Sequence, residues 1–319
     1  MGLSVATRAI PAFAAVASLA CASTPELDPV YRPAESVLEV LAVLQRHVDD
    51  DTYRFPAARD FTGRNVYRSS LLRLENLEQL HADGLRAGHL DGVIHFGKGR
   101  ALERLRAYGL AVAAYEIAAE RDEAVKAEAL RSADTCRDLA RALEIGPAAT
   151  RVADANLTLP SPSAALTRFE RRGAALDELL ALNDGNHHAY VVREEIERGD
   201  RERAAYFTRL RGVLPEGEVT AIAERRRLAE RHADSKLAPR HLLDLADLFA
   251  DLAYEYVEVH PPESLTFDPA AFRDYVDSGA RFYEMVAAQD GTTEKLEATR
   301  RLEAFLAFAL GIDRDRFSP

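Results

Sequence analysis

Residues 239–259 read PRHLLDLADLFADLAYEYVEV, and the larger apolar side chains advance as Leu242, Leu245, Phe249, Leu252 and Tyr256. Steps of three and four residues put all five on one side of an α-helix, which completes a turn every 3.6 residues. The next segment repeats the spacing at Phe272, Tyr275, Gly279, Phe282 and Val286. Strands would need apolar and polar residues to alternate, and no stretch of the chain does so. The class predicted is all-α.

Working outward, the same reading predicts about twelve helices. They run near 33–47, 65–85, 90–107, 110–121, 123–144, 164–182, 186–197, 201–213, 218–232, 239–259, 269–288 and 294–311. Ser161-Pro162 and Asp268-Pro269 each offer a capping side chain followed by proline at the first helical position. Residues 146–163 lose the periodicity and hold Pro147, Pro160 and Pro162, which marks a linker. It divides an N-terminal helical half, 33–145, from a C-terminal half, 164–319. Helix pairs joined by short turns along the whole chain imply hairpins stacked as an α-solenoid rather than a bundle around one core.

Composition narrows the function classes. The net charge is −11, and local arginine runs such as Arg225-Arg226-Arg227 are flanked by Glu224 and Glu230. Binding a nucleic-acid duplex requires a cationic face, so no nucleic-acid partner is expected. Residues 1–22 have the layout of an export signal: Arg8, an apolar stretch from Ala9 to Ala20, then small residues around Cys21. The stretch is shorter than the about 20 residues that span a bilayer. Ser18-Leu19-Ala20-Cys21 resembles a bacterial lipobox, which would make Cys21 the lipidated first residue of the mature protein. Ala20-Cys21-Ala22 equally fits ordinary signal-peptidase cleavage. Residues 23–32 then form a tether, and the expected location is the periplasm, with the lipidated form anchored to the outer membrane. Either route leaves Cys136 alone, read as a small buried residue on a helix stripe.

Between Gly92 and Val125 the spacing of Gly99, Leu102, Tyr108, Ala111, Tyr115 and Ala118 resembles a tetratricopeptide repeat. His95 stands where that family has Trp, and Glu123 where it has Pro. A second window, from Gly185 to Gly217, is similar, with Gly199 at the turn and Ala204 on the following helix. The resemblance implies close packing at Gly99 and Ala111, with Tyr115 filling the groove toward the next pair. It also implies a concave face for a protein or peptide partner, to which Val93, Phe96, Arg100, Glu103 and Arg104 would point. The expectation is therefore a non-enzymatic helical-repeat scaffold of the bacterial cell envelope. A small-ligand carrier or transporter-accessory lipoprotein is the alternative, and an envelope enzyme without a recognisable motif is the second.

Two further groups are candidates from residue type alone. Arg54, Arg59, Arg64 and Arg68 interleave with Tyr53, Phe55, Phe61 and Tyr67. Such a segment either grips a carboxylate or pins a long connection to the helices. His187-His188 with Glu194 and Glu195 invites a metal reading. Along one helix, however, His188 and Glu195 stand two turns apart, and ligands are wanted three or four residues apart. Helix-start histidines with solvated glutamates are the reading taken, and no metal site is expected. No nucleophile elbow, phosphate-binding glycine loop or dinucleotide fingerprint occurs, so no catalytic residue and no cofactor are expected.

Overall fold

The computed structural model describes residues 33–50, 63–87, 89–145 and 161–315, and every regular element among them is an α-helix. In chain order these are α1 (Pro33–Asp50), α2 (Gly63–Ala87), α3 (Asp91–Arg104), α4 (Tyr108–Arg121), α5 (Glu123–Ile145), α6 (Pro162–Leu182), α7 (His188–Leu210), α8 (Gly217–Arg231), α9 (Ala238–Val259), α10 (Pro269–Ala287) and α11 (Thr293–Asp315). Each helix packs on its successor, and α1 also meets α3, α3 meets α5, α5 meets α7 and α9 meets α11. No helix among the described residues is long and apolar enough to cross a membrane.

Apolar burial is divided into successive clusters. Val37, Leu74 and Ile94 belong to one on α1–α3, Tyr115, Leu139, Leu176 and Val192 to one on α4–α7, and Leu243, Tyr283 and Phe305 to one on α9–α11. The second cluster joins helices on both sides of residues 146–160, so the two halves share an interior there. Each such large side chain contributes roughly 1.5–3 kcal/mol through its burial. Helix α9 is buried beyond its predicted stripe, because Leu243, Leu248 and Ala250 are buried as well. It packs against α8, α10 and α11. Both predicted caps form: Ser161 Oγ accepts from the Ala164 amide at 3.3 Å, and Asp268 Oδ1 from the Ala270 amide at 2.8 Å.

Among the described residues eleven helices stand where twelve were expected, since 186–197 and 201–213 are one helix, α7. Gly199 therefore sits in a helix interior and not at a turn. A lone glycine costs a helix about 1 kcal/mol, which packing readily overrides. Here the guanidinium of Arg172 takes the vacant space, with Nη2 3.0 Å from where a Cβ would lie.

The α3–α4 hairpin is as close as its small residues imply. A Cβ on Gly99 would fall 2.6 Å from the Tyr115 ring, and Ala111 and Tyr115 are wholly buried. Helix α3 ends in a Schellman turn, with the Ala107 amide donating to Leu102 O and the Arg106 amide to Glu103 O, both at 2.9 Å. Arg106 occupies the left-handed position of that turn at φ 63°, where glycine is usual.

Two glycines on helices should respond oppositely to a methyl group. Gly99→Ala drives a Cβ into a buried ring and should lower stability by about 1–2 kcal/mol net of its helix-propensity gain. Gly173, inside α6 with open space around it, should gain about 0.5–1 kcal/mol as Gly173→Ala. Chemical denaturation of both variants checks the pair; a stabilised Gly99→Ala would contradict the close approach.

Candidate functional site

Local polar bonds fix the turn between α6 and α7. Asn183 is buried and donates from Nδ2 to Leu179 O at 2.9 Å, Gly185 takes φ 80°, and Asn186 Oδ1 accepts from the His188 amide at 2.8 Å. The turn delivers His187 and His188 together, with ring centroids 3.6 Å apart. Consecutive residues inside a helix would diverge by about 100°. His187 is the cap residue of α7, its backbone already right-handed at φ −63°, and the two rings meet through their side-chain orientations.

These rings face Glu103, brought by the last turn of α3. Its side chain is completely buried, and its Oε2 accepts from the Tyr115 hydroxyl at 3.0 Å and from Cys136 Sγ at 3.7 Å. Nε2 of His188 lies 3.5 Å from Oε2, and Nε2 of His187 lies 3.7 Å from Oε1. Neither nitrogen, nor Oε1, makes a hydrogen bond among the described residues, although all three are buried. Each unsatisfied buried polar atom costs about 1–3 kcal/mol. Burial raises the Glu103 carboxyl, but the adjacent His188 and the charge of Arg100 outweigh it and hold the group well below the usual carboxylate range. Burial pushes the His187 imidazole down to about 3, so it stays neutral at physiological pH. Burial and the Glu103 charge push the Cys136 thiol up, which keeps it a proton donor to the carboxylate.

From this corner a series of buried carboxylates continues along α7. Glu195 is 2% exposed and accepts from Arg106 Nε at 2.5 Å, Arg106 Nη2 at 2.9 Å and the Tyr108 hydroxyl at 2.9 Å. Glu197 meets His241 Nε2 at 2.6 Å and accepts from Ser235 Oγ. Asp200 accepts from Arg227 Nη2 at 2.9 Å and Arg231 Nη1 at 3.1 Å, with His232 Nε2 at 2.9 Å. Glu194 accepts from Arg104 and Lys236, each at 3.0 Å. The expectation of solvated glutamates at 194 and 195 thus gives way to ion-paired ones, because Arg104 from α3, Arg106 from the α3–α4 turn and Lys236 from the α8–α9 connection reach them.

The side chains expected to face a partner are engaged internally where they are described. Phe96 packs on Tyr115 with centroids 5.5 Å apart, and Arg100 lies 5.0 Å over the Phe96 ring while donating to Glu128 at 3.2 Å. Arg104, besides Glu194, lies 5.4 Å over the ring of buried Tyr67. Arg54, Arg59 and Cys21 lie outside the described residues, and Arg64 is described only by its place at the start of α2.

Sequence reasoning missed two clefts. One, of about 880 Å³, lies between α8, α9 and α10, with Leu242, Leu245, Phe282 and Met285 below and Arg226 and Arg281 beside them. Arg226 lies 5.6 Å over the Phe249 ring, and neither arginine has a carboxylate partner among the described residues. The other, of about 700 Å³, is polar and opens over α7, where Glu194, Glu197, Arg231, His232 and Lys236 line it together with Arg193. The exposed guanidinium of Arg193 lies 5.8 Å over Tyr190. An unpaired arginine beside an aromatic gives no periodic signal, which is why these positions escaped notice.

Asp200 supplies a test of the ionic series. Burial raises its carboxyl, but the bonds from His232 and Arg227 and the charges of Arg227 and Arg231 hold it down at about 2. A carboxyl lowered on folding adds stability above its unfolded value of about 4, and loses it as pH falls through the folded value. Asp200→Asn should therefore cost about 2 kcal/mol at pH 7, and the difference from wild type should vanish between about pH 4 and pH 2. Denaturant unfolding across that range reads it; a difference independent of pH would contradict the assignment.

No protein-family model, curated protein or solved structure matches the chain.

Proposed function

We propose that the chain is a non-enzymatic helical-repeat scaffold of the bacterial cell envelope that holds a segment of a partner protein in the cleft between α8, α9 and α10. The observation that carries this reading is the cleft itself: an apolar floor of Leu242, Phe282 and Met285, with Glu230 and Asp234 also on its wall, flanked by Arg226 and Arg281, neither of which pairs with a carboxylate among the described residues. An amphipathic segment bearing Asp or Glu beside apolar residues would satisfy both features. The solenoid reading has support from the packing of each helix on its successor and, in four cases, on the helix after it. Tetratricopeptide-like stacking remains our reading of the α3–α4 hairpin and extends to the array by that pattern.

A small-ligand carrier is the second reading, favoured by the same cleft. An apolar acid could place its chain over Phe282 and Met285 and its carboxylate against Arg281. A photo-crosslinking residue at position 285, in cells expressing the full chain, separates the two. The scaffold reading expects a discrete crosslinked protein that disappears in Arg226→Glu/Arg281→Glu. A small acid found by native mass spectrometry of the purified chain, with no crosslinked protein, would move the assignment to a carrier. Neither product would remove the cleft as the binding site.

The envelope location rests on residues 1–22. Mass analysis of the mature amino terminus should find Cys21 lipidated or a cleaved soluble chain, and Cys21→Ser should release the lipidated form from membranes. A chain retained in the cytosol from Met1 would end this part of the proposal.

A further inference from the structure

Besides His232 with Asp200, bonded at 2.9 Å, three described clusters pair histidine with carboxylate, and they differ in one respect. His241 Nε2 stands 2.6 Å from Glu197, and His95 Nε2 stands 2.9 Å from Glu78, both ordinary hydrogen-bond distances. Glu78 is also bonded by Lys98 at 2.8 Å, and Asp91 beside His95 by Arg121, so cations already satisfy that cluster. At Glu103 the two imidazole nitrogens stand off at 3.5 and 3.7 Å, with no hydrogen bond.

We propose that Glu103, His187 and His188 form a binding site for a zinc-like divalent transition-metal ion. One ligand atom from each residue lies within 4.8 Å of the others. Two donors each about 2.1 Å from a tetrahedral zinc ion are about 3.4 Å apart, which the 3.7 Å between His187 Nε2 and the unbonded Glu103 Oε1 approaches. A carboxylate with two imidazoles is a donor set that suits zinc, and the fourth position is left to water or another group. The ion would take up the lone pairs of the three atoms that now lack partners, two of them on side chains at least 97% buried.

The surroundings orient these ligands. Tyr115 and Cys136 both donate to Oε2 of Glu103 and so turn its unbonded Oε1 toward His187. Nδ1 of His187 lies 3.9 Å from the Glu128 carboxylate, close enough for a charge contact but not for a hydrogen bond. Arg100 donates to Glu128 through Nη2 at 3.2 Å, while its Nη1 is buried without a hydrogen bond among the described residues.

The test uses the purified full chain, stripped by chelator and titrated with Zn²⁺ by calorimetry and with Co²⁺ by visible absorption. One ion per chain is expected, with the intense ligand-field bands of low-coordinate cobalt. His187→Asn, His188→Asn and Glu103→Gln should each weaken zinc binding by about 100-fold or more, and Tyr115→Phe by roughly 10-fold, as for a side chain that only orients a ligand. Glu78→Gln should leave binding unchanged. His187 is the least buried of the three, so His187→Asn decides the matter if the other variants unfold, with circular dichroism confirming its fold. Absence of stoichiometric zinc binding by the wild-type chain would overturn the proposal, as would binding indifferent to His187→Asn.

Discussion

A carboxylate buried among helices must be met by a cation or a hydroxyl, or it unfolds the structure around it. Helix α7 carries three such groups, and each is met from a different place. Glu195 is held by Arg106 and Tyr108 at the α3–α4 turn, Glu197 by Ser235 and His241 before and on α9, and Asp200 by Arg227, Arg231 and His232 at the end of α8. A rotation of α7, or a slide by one turn, would strand all three. We read these contacts as register devices first, because apolar pairs of the same volume can stabilise a core as well or better. The left-handed Arg106 fits this account. Its backbone position is unfavourable for a side chain, and two bonds to Glu195 hold it there.

That arrangement determines where the polar corner can form. Setting α7 against α3 also sets the α6–α7 turn against the end of α3, which brings His187 and His188 to Glu103. The apolar cleft between α8 and α10 belongs to the other side of the same seam, since Arg231 and His232 secure the end of α8 while Arg226, one turn earlier, stays without a carboxylate. One surface thus carries two arginines without a carboxylate partner among the described residues, and one interior corner holds donor atoms without a hydrogen bond among them.

How much of this the sequence disclosed follows from the range of each interaction. The stripes of α9 and α10 and the caps at Ser161 and Asp268 depend on neighbours within four residues, and they were legible. The close approach at Gly99 was legible too, but the ring that meets it is Tyr115 of the same hairpin, a residue expected to fill the groove toward the next pair. Gly199 misled because a helix former and a helix breaker differ by about 1 kcal/mol, less than the packing of Arg172 and the anchoring of Asp200 can supply. Glu195 looked solvated because its partners lie 87 and 89 residues away. For the same reason His187 and His188 were weighed against Glu194 and Glu195 on their own helix, while the carboxylate they face is on α3. Glu103 was expected in an open groove, and the Schellman turn that ends α3 is where it becomes fully buried instead.

The claim that buried pairs set α7 in place is tested most directly by a double-mutant cycle on Arg106 and Glu195. Arg106→Leu, Glu195→Leu and the combined variant are compared with wild type by denaturant unfolding at neutral pH. Glu195→Leu leaves Arg106 without its carboxylate and Arg106→Leu leaves Glu195 only the more distant Arg198 at 3.6 Å, whereas the double change removes both charges of the pair. The expected result is a double variant less destabilised than the sum of the singles, by about 1–3 kcal/mol. Strict additivity would contradict it, and α7 would then owe its position to apolar packing alone.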